Sequence, residues 1–327
     1  MNIQTEALAS GILATIGHTP LVPLTKLFPG EQVFGKLEAF NPAGSIKDRT
    51  ALNIIQRGIA EGKINSTTRI VESTSGNMGI GLAQICLCHS IPLTLVVDPY
   101  INPQTVKILK TYGAKVEKVT QPDDTGGYLK ARLKKVEQLL DSIPNSFWPN
   151  QYANPANPEA HHQTVDEILD ELYGNLDYLF VATSTCGTIM GCADRIHMKG
   201  TKTKVVPVDS KGSIIFGDSP AKRVIPGIGA GRKSQFLNES LVEQAILMSE
   251  QDSIRGCREL LKKEAILAGG SSGAIVSAIQ YALPHLPKGS TIAGIICDRG
   301  ERYLDTVYNN RWVKDHFGEE FEKSLKF

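Results

Sequence analysis

Apolar residues along the first half of the chain follow two alternating rhythms. Short runs rich in β-branched residues, KINSTTRIVEST (63–74), PLTLVVD (92–98) and KVEKVT (115–120), are each followed by a stretch with apolar positions three and four apart. Those stretches are GNMGIGLAQICLCHS (76–90), PQTVKILKTYG (103–113) and YLKARLKKVEQLLDSI (128–143). The alternation predicts βαβ units and a parallel sheet with helices on both faces. After the Pro/Asn-rich stretch PNQYANPANP (149–158) the rhythm restarts with TVDEILDELYG, LDYLFVAT, GTIMGCADRIH, KVVPVDS, AIVSAIQYALPH and TIAGIICD. Two α/β domains are expected, 1–150 and 151–327. No tandem repeat or low-complexity tract interrupts them, and HFGEEFEKSLKF (316–327) reads as a polar tail or terminal helix in contact with solvent.

Composition narrows the function classes. A chain of 327 residues is long for one core. Its 35 basic and 34 acidic residues leave a net charge of +1, so no excess field advertises nucleic acid or an anionic membrane. No apolar run reaches the roughly 20 residues of a membrane span, and MNIQTEALAS lacks the blocks of a signal peptide, which makes a soluble cytoplasmic protein the expectation. Six cysteines are too sparse for a disulfide framework. Cys86, Cys88 and His89 invite a metal reading, but positions i and i+2 of a helix point apart. Buried helical cysteines and no metal are expected.

Five segments could carry chemistry. In NPAGSIKDRT (41–50), Ser45 and Asp48 are spaced like a capping box, and Ala51, Ile54, Ile55 and Ile59 supply an apolar helical face ended by Gly62. Lys47 then sits in a first turn, where the positive helix end opposes a charged amine. A phosphate loop needs a longer glycine-rich stretch, so Lys47 is a solvated charge or an amine nucleophile. VESTSGNMGIGLA (71–83) ends a strand in small polar residues before a helix, either an anion-binding turn or an ordinary capped one. LFVATSTCGTIMGCADRIH (179–197) breaks a strand into Ser184, Thr185, Cys186, Gly187 and Thr188, hydroxyls and amides that suit a phosphate. A dinucleotide site is the competitor, with Asp209 as its ribose acid, but the loop has no complete G-x-G-x-x-G. ILAGGSSGAIVSA (266–278) and GIICDRGERYLD (294–305) gain weight only in combination with the others.

Together, N-P-A-G-S-I-K-D-R, T-S-G-N-M-G, N-Q-Y-A-N-P, S-T-C-G-T, P-G-I-G-A-G and G-G-S-S-G, in that order, resemble the cysteine synthase branch of the fold-type II pyridoxal-phosphate enzymes along nearly the whole chain. The resemblance implies the tryptophan synthase β-subunit-like fold: two three-layer α/β domains, the cofactor in the cleft between them, and residues of about 12–35 packing on the second domain. It implies that Lys47 carries pyridoxal 5'-phosphate as a Schiff base and moves the substrate's α-proton. Asn77 would bond the ring hydroxyl, Ser184, Thr185, Cys186, Gly187 and Thr188 would hold the phosphate, and Ser271, or Ser272, would face the pyridine nitrogen. The family's phosphate loop is usually richer in glycine, which makes Cys186 a departure. A neutral serine at the pyridine nitrogen suits β-elimination better than transamination.

Within the family, K-G-S-I-I-F-G (211–217), D-D-T-G-G-Y-L (123–129) and C-D-R-G-E-R-Y-L (297–304) resemble members that supply 2,3-diaminopropionate for siderophores. This implies β-replacement on O-phospho-L-serine with L-glutamate as the amine. The donor carboxylate would dock on Thr74, Ser75, Asn77 and Gln151, the phosphate on Arg299, and glutamate on Arg132, Tyr152 and Thr185, with Ser213 nearby. A homodimer is implied as well. The alternatives are a cysteine synthase using O-phosphoserine or O-acetylserine with sulfide, and a non-catalytic cofactor-binding regulator; intact Lys47, Asn77 and Ser271 argue against the regulator.

Overall fold

The computed structural model describes residues 11–74, 76–122 and 127–325, and over these the alternating rhythm becomes ten strands and eleven helices. The first part runs β1 (Leu21–Pro23), β2 (Gln32–Leu37), α1 (Lys47–Ala60), β3 (Arg69–Ser73), α2 (Asn77–Cys88), β4 (Leu93–Val97), α3 (Pro103–Thr111), β5 (Lys115–Lys118), α4 (Leu129–Ser142) and β6 (Ser146–Phe147). It continues with α5 (Ala156–Glu159), α6 (His162–Glu171), β7 (Tyr178–Ala182), α7 (Gly187–Lys199), β8 (Lys204–Ser210), β9 (Ile246–Met248), α8 (Glu250–Glu264), α9 (Gly270–Ala282), β10 (Thr291–Ile296), α10 (Asn310–Phe317) and α11 (Glu319–Ser324). None of the described helices is long and apolar enough to cross a membrane. Contacts divide the described chain into residues 11–16 with 41–157, and residues 17–40 with 158–325.

The first unit holds a four-stranded sheet, β5-β4-β3-β6, in which all neighbours are parallel. Every residue of β4 and the last four of β3 are buried, as expected when helices cover both faces. Ile54, Ile55, Ile80, Leu82, Ile85, Leu95 and Leu109 form its core. Gly81 lets α2 lie against the first turn of α1: a Cβ there would come within 3.4 Å of the Lys47 carbonyl oxygen and 3.3 Å of the Ala51 Cβ.

The second unit has a six-stranded sheet, β1-β2-β10-β7-β8-β9. Only the β1/β2 hairpin is antiparallel, and β2 pairs in parallel with β10 through Thr291↔Gln32 to Ile296↔Leu37. Lys36 on β2 is fully buried, which its ion pairs with Glu167 at 2.9 Å and Glu171 at 3.2 Å make tolerable. Helices α8 and α9 cross at two glycines: a Cβ at Gly256 would lie 2.0 Å from the Gly273 carbonyl oxygen, and one at Gly273 2.0 Å from that of Ser253. This contact fixes α9, whose first turn carries Ser271.

Three local expectations need correction. Ser45 does not cap α1 as a box; its Oγ accepts the Lys47 N–H, Asp48 reaches back to the Ala43 N–H at 2.7 Å, and Ile46 occupies the N-cap position. Cys86 is buried but Cys88 is exposed, because α2 turns its last residues outward. The C-terminal stretch is not merely solvated: Phe317 and Phe321 pack against a core of Ile225, Ile254, Val307, Val313 and Leu325.

Candidate active site

Both sheets present their loops at the carboxyl ends of parallel strands, where α/β folds bind ligands. In the first unit, Lys47 opens α1, half-buried, with its backbone N–H on Ser45 Oγ at 3.2 Å. Asn77 opens α2, four residues before the glycine that brings α2 against Lys47. The Thr74 hydroxyl is spent on structure, accepting the N–H groups of Gly76 at 3.1 Å and Gly79 at 3.2 Å. Ser75, assigned to the same turn by the resemblance, lies outside the described residues, as do positions 123–126 of the D-D-T-G-G-Y-L stretch.

Gln151 is buried and tied in three places. Its N–H donates to Glu72 at 3.3 Å, its Nε2 to the Ser73 carbonyl at 3.3 Å, and its own carbonyl accepts from Asn157 at 2.6 Å. The next residue, Tyr152, is half-buried. Arg132 on α4 is buried, with Nε 3.2 Å from an Asp98 carboxylate oxygen. That approach lacks hydrogen-bond geometry, so Nε has no hydrogen-bond partner among the described residues. A basic residue on a helix with this many lysines is as readily a surface charge as a ligand; the Arg132 side chain is only 9% exposed.

Glu72 was not singled out from the sequence, yet it is fully buried beneath this turn and accepts from the Ser73 N–H, the Trp148 indole and Gln151. Burial pushes its carboxyl up to about 7, against the pull of those three donors and of nearby Arg132. Asp98 was missed as well. An acid just after an apolar run reads as the start of an exposed loop, but Asp98, directly after β4, is buried beside Arg132.

In the second unit, β7 ends at the turn 183–186, and Cys186 takes the left-handed conformation, φ +65°, as the N-cap of α7. A left-handed residue before a helix turns successive N–H groups to one side, and the first turn of α7 leaves its N–H groups without partners inside the helix. The Thr188 hydroxyl lies 3.2 Å from His161 Nε2, Thr185 Oγ1 accepts the Gly187 N–H, and the Ser184 hydroxyl donates to the Gly229 carbonyl at 3.3 Å. Burial pushes the Cys186 thiol up to about 12, so it remains uncharged beside any bound anion.

The loop containing Gly229 also passes Ser271, since a Cβ on Gly227 would stand 3.9 Å from the Ser271 hydroxyl. Ser272 Oγ accepts the Cys297 N–H at 2.9 Å, whereas the buried Ser271 hydroxyl makes no side-chain hydrogen bond among the described residues. Of the two serines, Ser271 is the one with a free valence. Ser213 is fully buried, accepting the N–H groups of Ala230 and Ile215, and is a structural clamp. Asp209 is fully buried too and bonds the Ser210 N–H, which removes it as an outward ribose acid. Arg299 is exposed; its Nε donates to the Ala39 carbonyl at 2.9 Å, leaving the two Nη groups for an external anion.

Residues 12–298 match the family model described as "Pyridoxal-phosphate dependent enzyme". Among solved structures, the chain is similar to an O-acetylserine dependent cystathionine beta-synthase from Helicobacter pylori, at 32% identity and TM-score 0.84, over 92% of this chain and 99% of that one. It is similar also to a hydrogen sulfide-producing enzyme from Fusobacterium nucleatum, at 34% identity and TM-score 0.84, over 90% and 100%. An O-ureido-L-serine synthase matches at 30% identity and TM-score 0.85, over 95% and 96%.

Proposed function

Because the chain belongs to the pyridoxal-phosphate dependent enzyme family, and is a β-replacement enzyme of its cysteine synthase-like members, we propose its reaction within that group. The donor is O-phospho-L-serine, the incoming nucleophile is the amino group of L-glutamate, and the products are N-(2-amino-2-carboxyethyl)-L-glutamate and phosphate.

The residues fit the cofactor. A lysine amine opens α1, a left-handed turn before α7 offers amides and hydroxyls to a phosphate, and Ser271 keeps a hydroxyl unspent for a ring nitrogen. When bound, pyridoxal phosphate withdraws electrons from the amino acid's α-carbon, which acidifies the α-proton and eases loss of a β-substituent. The chain's own groups do the rest. Lys47 Nζ takes the α-proton and later returns a proton. Asn77 and the remaining Gln151 Nε2 hydrogen hold the donor carboxylate. The Arg299 Nη groups take the departing phosphate as a two-pronged partner.

Arg132 carries the choice of nucleophile. Sulfide needs no carboxylate receptor, whereas Arg132, ion-paired with Asp98 through Nε, has its two Nη groups to offer an anionic acceptor such as glutamate. The half-buried Tyr152 beside Gln151 adds a hydroxyl for the same acceptor.

Mass spectrometry of products from holoenzyme with phosphoserine and glutamate tests the reading. The expected outcome is the glutamate adduct with one phosphate released per adduct. Cysteine from added sulfide with no glutamate adduct refutes the proposed acceptor and makes the chain a cysteine synthase. Absence of phosphate release and of any cofactor spectral change refutes catalysis on this donor.

A further inference from the structure

Three donors of the first unit converge on the side chain of Glu72, the fourth residue of β3. Oε1 accepts the Ser73 N–H at 2.7 Å and the Trp148 indole at 3.1 Å; Oε2 accepts the Gln151 N–H at 3.3 Å. Gln151 in turn leads to Asn157 and on to Thr50 of α1, three residues after Lys47, through bonds of 2.6 and 3.1 Å. We propose that Glu72 is a positioning residue: as a carboxylate it fixes the backbone of Gln151, so that the Gln151 amide faces the donor's carboxylate in a set orientation. The proposal rests on the reading above only where it gives Gln151 to the donor.

Only an ionised carboxylate suits three converging N–H groups, because it accepts at both oxygens and donates at neither. The charged group facing Glu72 is Arg132 from α4, which is itself paired with Asp98 at the end of β4. Among the described residues, the hydrogen-bond partners that β6 and the turn after it bring to the carboxyl are Trp148 and Gln151, and β4 sets Leu95 in register with Glu72. Burial holds the carboxyl near half-ionisation around neutral pH. A proton settles on Oε2, the oxygen with the single, longer bond, and then confronts the Gln151 N–H donor with another donor. Gln151 is thereby released while Trp148 and Ser73 keep their acceptor.

Glu72→Gln reproduces that protonated state at every pH, since its amide nitrogen can stand in for Oε2 and its oxygen for Oε1. The experiment has two readouts on the holoenzyme. The first is the emission of Trp148. The chain has two tryptophans, and Trp312 stacks on the His316 ring at 4.2 Å, far from Glu72 in sequence, so the titration uses the Trp312→Phe background. Emission is expected to change with a midpoint near pH 7, and that midpoint is expected to vanish when Glu72→Gln is added. The second is the donor's steady-state KM and kcat, with binding followed by the cofactor's absorbance change and with O-phospho-L-serine and O-acetyl-L-serine as probes. Glu72→Gln at pH 8 is expected to raise donor KM about tenfold, the loss of one charge-assisted contact, with kcat changed far less. Wild type is expected to approach the same KM at pH 6.

An emission midpoint that is missing in the parent, or that survives Glu72→Gln, overturns the proposal. So does an unchanged donor KM and pH profile in Glu72→Gln. If that variant does not fold, the Trp312→Phe titration and the wild-type KM profile between pH 6 and 8 still decide. Should neither probe bind, the assignment of function fails, while the Trp148 midpoint continues to judge Glu72 separately.

Discussion

At the carboxyl end of its sheet the first unit gathers Glu72, Asp98 and Arg132, and it carries the amine of Lys47 on α1. At the corresponding end of its own sheet the second unit offers Ser184, Thr185, Thr188 and Ser271, none of which ionises near neutrality, and a thiol held uncharged by burial. The two ends solve different problems. Neutral hydroxyls and amides grip an anion without any charge of their own that could titrate. Groups that gain and lose protons are needed where a proton moves and where a charged acceptor is selected. On the proposed reading, the cofactor's phosphate and ring nitrogen belong to the second unit, whose Arg299 also takes the donor's phosphate, while proton transfer and choice of the acceptor belong to the first.

Replacing Lys47 is the strongest way to separate the two. Lys47→Ala is expected to lower turnover by at least about 10³-fold, the scale of a lost proton-transfer group, while the α7 turn still binds cofactor reversibly. Dialysis followed by absorbance, beside steady-state rates, checks both halves; residual full activity, or complete loss of cofactor binding, breaks the division. Arg132→Ala tests the acceptor side. It is expected to raise the glutamate KM by roughly 10- to 100-fold with little change in the donor half-reaction, the range for a lost hydrogen bond to a charged group. Equal loss with donor and acceptor means that Arg132 supports the fold through Asp98 rather than selecting glutamate. The smallest effect belongs to the second unit. At φ +65°, Cys186→Gly is expected to be more stable than Cys186→Ala by about 1 kcal/mol, reversing the usual order of alanine over glycine. Denaturation midpoints of the two variants measure it.

Much of the first unit was legible because its elements are local. Strands β3, β4 and β5 each precede a helix, α2 apolar nearly all round and α3 and α4 with one apolar face, and Lys47 falls at the start of α1. The β1/β2 hairpin was not read: β1 has three residues, and the parallel partner of β2 is supplied by β10. Helix α8 was passed over although Ser249 and Asp252 form a full capping box, because its surface is strongly polar. The site was legible in motif and illegible in depth. The one-letter string shows Thr74 and Ser213 as available hydroxyls, but folding spends both on backbone N–H groups. Conversely, Glu72 looked like an ordinary polar position, and only the approach of Trp148 and Gln151 reveals its use.

The pairing of β2 with β10 also sets a timetable for synthesis. Gln32 meets its register partner Thr291 across 259 residues of chain. At translation speeds of about 5–20 residues per second, that interval is roughly 13–50 s. The first unit's 41–157 segment can complete its sheet during the wait. The β2 edge of the hairpin that awaits β10 meanwhile stays unpaired, which invites mispairing with other chains. In the living cell, the second sheet is vulnerable until the last strand leaves the ribosome.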